Sequence, residues 1–434
     1  MVNPEDKSQP TAGVYQTGGW KAHWILIVCS LVYMLNYMDR VVLTVVLQPM
    51  KLEMALSDTQ LGALQMVYML CHGICALPIA YLIDRWSRKK TVGILALAWS
   101  VFTACTGMAW NFMTAVLPRA VTGIGASGLA TGGVSMITAA YPKSKHGTVM
   151  GIFHIAIPLG IGLGAITGGV MAAKFGWRSP FFLLSITGLV LAIAAFFLKD
   201  YRTVRDGVAP GLKAFSQSVI RLIKIPTLRW FLPGYGLLLI SSMAQINWLP
   251  TFVMRQFGWG TEQAGYLMCA VSLTAIIGAL VGGVLADRWY RKNHRSRLWL
   301  PAIAALLTSL CLAASFFAFS YSFALGLAIS LLFGIVNMIA IPSLSAVSQD
   351  VVPPAQKGLS YGLTTFCMYL FGGAWSPLAV GVISDSLGGG AEGLMRAVVL
   401  ASVGGLLACL CFIMGARQYI QDEDKVRGAV IEAG

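Results

Sequence analysis

Charge is what this 434-residue chain has least of. Only 11% of its residues are Asp, Glu, Lys or Arg, against about 25% in a soluble globular protein. That excludes a surface wetted on all sides. Disulfide scaffolding is excluded too: all nine cysteines fall inside apolar runs, none in a loop where an oxidising compartment would pair it, and they read as small packing residues. There is no HExxH, no phosphate-cradling glycine loop, no Cys/His metal cluster and no Ser/His/Asp arrangement. Enzyme activity, ATP-driven work, a metal and a cofactor are therefore not expected. The first 20 residues lack the apolar stretch of a cleavable signal and read as a short polar tail.

What is there is apolar length. The chain is 57% hydrophobic with a mean hydropathy of +0.74, and runs of bilayer-spanning length recur from end to end. The spans lie near 23–47, 58–82, 91–110, 112–138, 147–173, 179–198, 228–254, 261–286, 298–319, 322–348, 358–384 and 393–416. The expected fold is an all-α membrane protein of twelve transmembrane helices in two pseudo-symmetric six-helix bundles, 23–198 and 228–417. A tail (1–22), a linker (199–227) and a second tail (418–434) flank and join them. Net charge is +14. With the N-terminus inside, 24 of the 31 Lys and Arg face the cytoplasm and five face out: Lys51, Lys174, Arg178, Arg255 and Arg396. This bias is a topology signal that puts both termini on the cytoplasmic side of an inner (plasma) membrane. It argues for contact with membrane lipids and against nucleic acid.

The chain is written twice. SDTQLGAL (57–64) returns as GTEQAGYL (260–267), and AYLIDRWSRKK (80–90) as GVLADRWYRKN (283–293), both offset by 203. Further on the offset is 211, pairing Gly123 with Gly334 and Pro142 with Pro353. Two six-span halves related by duplication are the mark of a secondary transporter. In the linker, Phe215, Val219, Leu222 and Ile223 share one face of a helix running from about Leu212 to Ile225, which suits the membrane surface.

Three charges stand inside spans, away from their ends: Asp39, Arg40 and Arg119. A charge at the bilayer centre costs about 2.5–3.5 kcal/mol on insertion scales, so each must face protein or water and have a partner. All three are in the first half, and at the offsets above Asp39 becomes Ser242 and Arg119 becomes Ser330. Arg119 is either a fork for a substrate anion or the fixed partner of Asp39, and the two readings are not exclusive. Burial favours the neutral form of Asp39 and a guanidinium favours the charged form, so Asp39 is the candidate for proton coupling. Arg40, Tyr33, Asn36 and Tyr37 are candidate cavity walls. His154 is favoured over His72 as a cavity histidine. In the second half the candidates are Gln245, Asn247, Trp248, Asn337, Tyr361 and Thr365. The doubled DRW loops offer Asp84 with Arg85 and Arg88, and Asp287 with Arg288 and Arg291, as charge latches between helix ends.

The doubled GxLADRxxRK-type loop, the twelve spans and the basic linker resemble the major facilitator superfamily over residues 23–417. NYMDR, LSDTQLG, PRAVTGIG and FHIAIPLGIGLG followed by FGWR resemble its spinster-like branch and, more distantly, the anion:cation symporters for sugar acids. The resemblance implies two bundles around a central cavity that opens alternately to each side, acting as a monomer. It also implies an acidic residue seven positions after Arg119, where this chain has Ala126, which leaves Asp39 as the main coupling residue. The function expected is secondary active transport of an organic anion, either a carboxylate or an amphipathic lipid-like anion, coupled to protons through Asp39. The alternatives are facilitated diffusion or antiport without proton coupling, and a non-transporting receptor of the same fold.

Overall fold

The computed structural model describes residues 19–142, 145–200, 212–353 and 356–431. The first bundle comprises α1 (Trp20–Met54), α2 (Asp58–Arg85), α3 (Arg88–Gly107), α4 (Phe112–Ser127), α5 (Leu129–Ala140), α6 (His146–Phe175) and α7 (Ser179–Phe196). The second comprises α9 (Pro226–Phe257), α10 (Thr261–Tyr290), α11 (Ser296–Phe319), α12 (Phe323–Asp350), α13 (Lys357–Met368), α14 (Trp375–Ser386), α15 (Gly390–Ala401) and α16 (Val403–Ile431). Between the bundles lies α8 (Leu212–Ile223), the surface helix expected in the linker; its Leu222 is buried in the second bundle.

Twelve segments are long and apolar enough to cross a membrane. Three are interrupted. The fourth span divides at Gly128 into α4 and α5, the twelfth at Ser402 into α15 and α16, and the eleventh contains a π turn, Tyr369–Gly373, between α13 and α14. The last helix runs to Ile431 instead of yielding to a tail near 417, because Tyr419, Asp422 and Glu423 are buried against the second bundle.

Glycines in the repeated motif bring the bundles together. Gln60 and its counterpart Gln263 each accept the backbone N–H three residues upstream, at Ser57 and Gly260, and so cap α2 and α10. Gly62 and Gly265, two residues on, lie against the opposite bundle. A methyl group at Gly62 would sit 2.2 Å from the Pro377 carbonyl oxygen, and one at Gly265 would sit 2.4 Å from that of Ala165. The repeat therefore encodes one inter-bundle contact made twice.

The apolar core follows the same division. One cluster draws buried residues from both bundles, among them Val42, Leu43, Leu47, Trp248, Leu249 and Phe252. Toward the face that carries both chain ends, each bundle has its own cluster, around Phe153 and Met136 in the first and Phe231 and Leu344 in the second. There α5 packs on α1, α2, α3, α4 and α6, all of its own bundle. The bundles are joined on the far face; toward the terminal face their apolar cores part on either side of a cleft, across which α2 still meets α13 where Leu77 approaches Gly362.

Candidate functional site

At the inner end of the cleft stands Arg40. Its Nε donates to Tyr68 Oη at 2.9 Å and its Nη1 to Tyr369 Oη at 3.2 Å, while Nη2 lies 3.4 Å from both ring nitrogens of His72. The guanidinium also lies over the rings of Tyr37 (4.9 Å) and Tyr68 (5.2 Å). Tyr68 and His72 are one turn apart on α2, so they share a face. Tyr369 comes from the other bundle, at the first position of the π turn. An extra backbone residue in that turn re-aims its ring, a common use of π turns at functional sites. Arg40 is half-buried, and every partner it has here is neutral. Among the described residues no carboxylate pairs with it.

Behind Tyr68 lies the ion pair. Arg119 Nη1 donates to Asp39 Oδ2 at 2.9 Å, with both side chains fully buried. Neighbouring residues on a helix point about 100° apart, so Asp39 turns into the first bundle while Arg40 turns to the cleft. The pair uses one hydrogen bond where a guanidinium and a carboxylate can make two. Asp39 Oδ1 and Arg119 Nε and Nη2 are buried with no hydrogen-bond partner, which is uncommon enough to need a reason. Arg119 Cζ rests 4.6 Å from the centre of the Tyr68 ring. In this conformation Arg119 does not reach the cleft. The cation that does is Arg40.

Of the other first-half candidates, Asn36 donates to Tyr68 Oη at 3.2 Å, and Tyr33 stacks on Phe153 with its hydroxyl 3.5 Å from that of Tyr37. His154 is exposed on the face of α6 that meets α10 further along, three turns before Ala165. His72, not His154, is the histidine that meets Arg40.

The second half divides differently from expectation. Gln245 and Trp248 are buried, Trp248 in the cluster that both bundles share, with Gln245 Nε2 and Oε1 and Trp248 Nε1 lacking a hydrogen-bond partner. Asn247 donates to Met243 O of its own helix, and Asn337 accepts from Ser242 at 2.6 Å. None of these four opens to the cleft, because their stripe on α9 and α12 packs inward. Tyr361 does open to it, at 58% exposure, and Thr365 donates to the Tyr361 carbonyl. Tyr361, Thr365 and Tyr369 recur at every fourth residue, and Tyr235 of α9 lies within electrostatic reach of Tyr37, Tyr361 and Tyr369. The result is a tyrosine-walled cleft with one cation at its inner end. Sequence reasoning missed Tyr68, Tyr235 and Tyr369. The available signal was the four-residue spacing of Tyr68 with His72 and of Tyr361, Thr365 and Tyr369 in turn.

The latches form within bundles. The side chains of Asp84 and Arg85 lie outside the described residues. Arg88 donates to Ser135 O at 3.5 Å, and Ser87 and the Lys89 N–H bind Asp200, which ties the first DRW loop to its own sixth span. In the second half the partner of Asp287 is Arg297 (3.6 Å), not Arg288 or Arg291. Arg297 enters from the first turn of α11 and also reaches Asp350 at 3.4 Å, a bridging position the helix of Asp287 cannot offer its own arginines. Glu423 of α16 joins this cluster through Tyr290 and His294.

A second ionic cluster closes the far face, at residues that looked like loop charges. The Asp58 carboxylate is fully buried and accepts from Lys51 Nζ (2.6 Å), Arg255 Nη1 and Nη2 (2.7 and 2.5 Å) and Ser384 Oγ (2.7 Å). Arg255 also takes Gln48 Oε1 at 2.8 Å. From the second bundle, Asp385 accepts the Asp58 and Thr59 backbone N–H groups at the start of α2, at 3.0 and 2.7 Å. A carboxylate at a helix N-terminus is favourable by charge and by hydrogen bonding. Arg255, Ser384 and Asp385 join α9 and α14 of the second bundle to α2 of the first, Gln48 ties Arg255 to α1, and Lys51 of α1 supports Asp58 from within the first bundle.

The sequence matches the family model of the Major Facilitator Superfamily over residues 29–377. It is 25% identical to an MFS-type efflux pump of Mycolicibacterium smegmatis, covering 93% of this chain and 95% of that one. It is 24% identical to the hexuronate transporter of Bacillus subtilis, covering 84% and 88%, and 27% identical to protein spinster homolog 3 of Danio rerio, covering 88% and 80%. Among solved structures, a bacterial homologue of the human lysosomal transporter spinster, inward-facing and unoccupied, superposes with a TM-score of 0.83 at 21% identity. That match covers 93% of this chain and 99% of the other.

Proposed function

Because this chain belongs to the Major Facilitator Superfamily and is a multi-pass membrane transporter related to spinster proteins and acid-sugar transporters, we propose that it carries an organic anion by alternating access, coupled to protons. The anion binds at Arg40. One observation carries this reading: a half-buried guanidinium at the inner end of the cleft whose polar partners are all neutral. A carboxylate or phosphate would displace the weak contacts to His72 and Tyr369 and form charge-assisted hydrogen bonds in their place. Tyr37, Tyr361 and Tyr235 flank an apolar or ring-shaped part of the same molecule and accept stacking and hydrogen bonds.

Asp39 is the proton site. Its single bond to Arg119 and its spare oxygen leave room to take a proton, and a buried pair is by itself weak support for stability. Arg119 is the counter-ion of that site, no longer the direct anion ligand. The far face, held by Asp58 and Arg255, is the outside gate; the terminal face is cytoplasmic, by the excess of Lys and Arg there.

The test is uptake of sugar acids and lysophospholipids into liposomes holding the purified protein, with and without an inward proton gradient. A gradient-driven signal that Asp39→Asn abolishes is expected. Uptake indifferent to the gradient, or gradient-driven uptake surviving Asp39→Asn, removes the coupling role.

A further inference from the structure

We propose that Tyr68 is the positioning residue that couples the buried Asp39–Arg119 pair to the cleft cation Arg40, an inference that rests on the proton-coupled reading above. Three groups are anchored on this one side chain. Arg119 packs on the ring face at 4.6 Å, Arg40 Nε donates to the hydroxyl at 2.9 Å, and Asn36 Nδ2 donates to the same oxygen at 3.2 Å. The ring itself is 1% exposed. The side chain thus touches both the pair and the cation. When Asp39 takes a proton, the single Asp39–Arg119 bond loses its charge and Arg119 keeps only its seat on the ring. A shift of that guanidinium moves the ring, and the hydroxyl moves Arg40.

The backbone explains how the ring comes to lie there. Gly123 is one turn after Arg119 on α4. A methyl group at Gly123 would sit 2.3 Å from the Tyr68 carbonyl oxygen, so the absent side chain lets α4 touch α2 at this residue. Arg119, on the same face, is thereby laid on the ring. The duplicated half keeps the contact without the chemistry. Gly334, the counterpart of Gly123, approaches the Val271 carbonyl oxygen to 2.7 Å by the same measure. Val271 stands at the offset of 203 from Tyr68, and Asn36, Asp39, Arg40 and Arg119 correspond to Leu239, Ser242, Met243 and Ser330. The helix contact forms in the twin with no aromatic ring, so packing alone does not call for Tyr68.

The charged and titratable groups facing Asp39 are Arg119 from α4 and Tyr68 from α2, with Arg40, His72 and Tyr369 beyond the ring. From α6 come Gly164 and Gly168, which meet Met38 and Val42. His72 is the one histidine among these groups, and it supplies a control.

The experiment measures binding of a sugar-acid and a lysophospholipid probe to the purified full-length chain between pH 6 and 8. Wild type is expected to change affinity by about tenfold across that range, an ordinary size for coupled sites. Asp39→Asn should abolish the change and His72→Gln should keep it. Tyr68→Phe retains the ring and the seat of Arg119 but frees Arg40. Its affinity at a single pH is expected to change as Arg40 loses that hydrogen bond, so the readout is the pH dependence, which should be lost. Full pH dependence in Tyr68→Phe, with Asp39→Asn flat, overturns the proposal and leaves the proton reading standing. Flat binding by wild type, or loss in His72→Gln, overturns both. A second measurement needs no substitution at Tyr68: hydrogen exchange of residues 64–75 should respond to pH in wild type beyond its response in Asp39→Asn. Equal responses overturn the proposal.

Discussion

Replacing Arg255 with leucine should tip the protein toward opening on its far face. Arg255 gives Asp58 two short hydrogen bonds, at 2.5 and 2.7 Å, across the bundle interface, and is itself 7% exposed at the side chain. A hydrogen bond to a charged group is worth about 1.5–3 kcal/mol net. Lys51 of the same bundle also binds Asp58, so the carboxylate is not left bare. A loss of about 2–3 kcal/mol, specific to the far-closed state, moves the conformational equilibrium by roughly 30- to 150-fold. A population resting at about 99:1 would then approach 1:1. Spin labels at Met108→Cys and Tyr321→Cys, exposed far-face positions of the two bundles at 61% and 75%, placed in a background lacking the native cysteines, report the separation by pulsed dipolar spectroscopy. A new long-distance component should appear in Arg255→Leu. A distribution unchanged from wild type would show that this cluster does not hold the face closed.

Two further outcomes follow from the packing and the pair. Gly62→Val places side-chain atoms where the Pro377 carbonyl already stands, so the same labels should show the far face open, with the fold of each bundle intact by circular dichroism. In thermal unfolding, Arg119→Ala should cost about 3–5 kcal/mol by leaving Asp39 buried and uncompensated, and the Asp39→Ala/Arg119→Ala double variant should recover most of that. A double variant as unstable as the sum of its singles would contradict the pairing.

Much of the architecture was legible in the chain because each signal had a local cause. Apolar length gave the spans, and the repeated Gln-x-Gly gave two caps and two close approaches. The rule that an intramembrane charge needs a partner pointed Asp39 at Arg119, and the structure makes that pair. What the chain concealed depends on which helix meets which. Asp58 and Arg255 look like loop charges until two bundles bring α2 against α9. Tyr369 reads as an ordinary span residue because nothing local announces a π turn at YLFGG. Gln245 was a cavity candidate for its polarity and Trp248 for its ring, yet both are buried, Trp248 in the core that the two bundles share. Arg297 outcompetes the arginines next to Asp287 because it arrives from another helix. Contacts between bundles also change with the gate, and a sequence records all gate states at once.

The central claim is that an organic anion binds in the cleft at Arg40. Isothermal titration of purified protein with a sugar acid and with a lysophospholipid, comparing wild type with Arg40→Gln, tests it most directly. Losing the charge should weaken the better ligand by roughly ten- to a hundredfold, the equivalent of about 1.5–3 kcal/mol, with thermal stability kept. Undiminished affinity in Arg40→Gln would contradict the account.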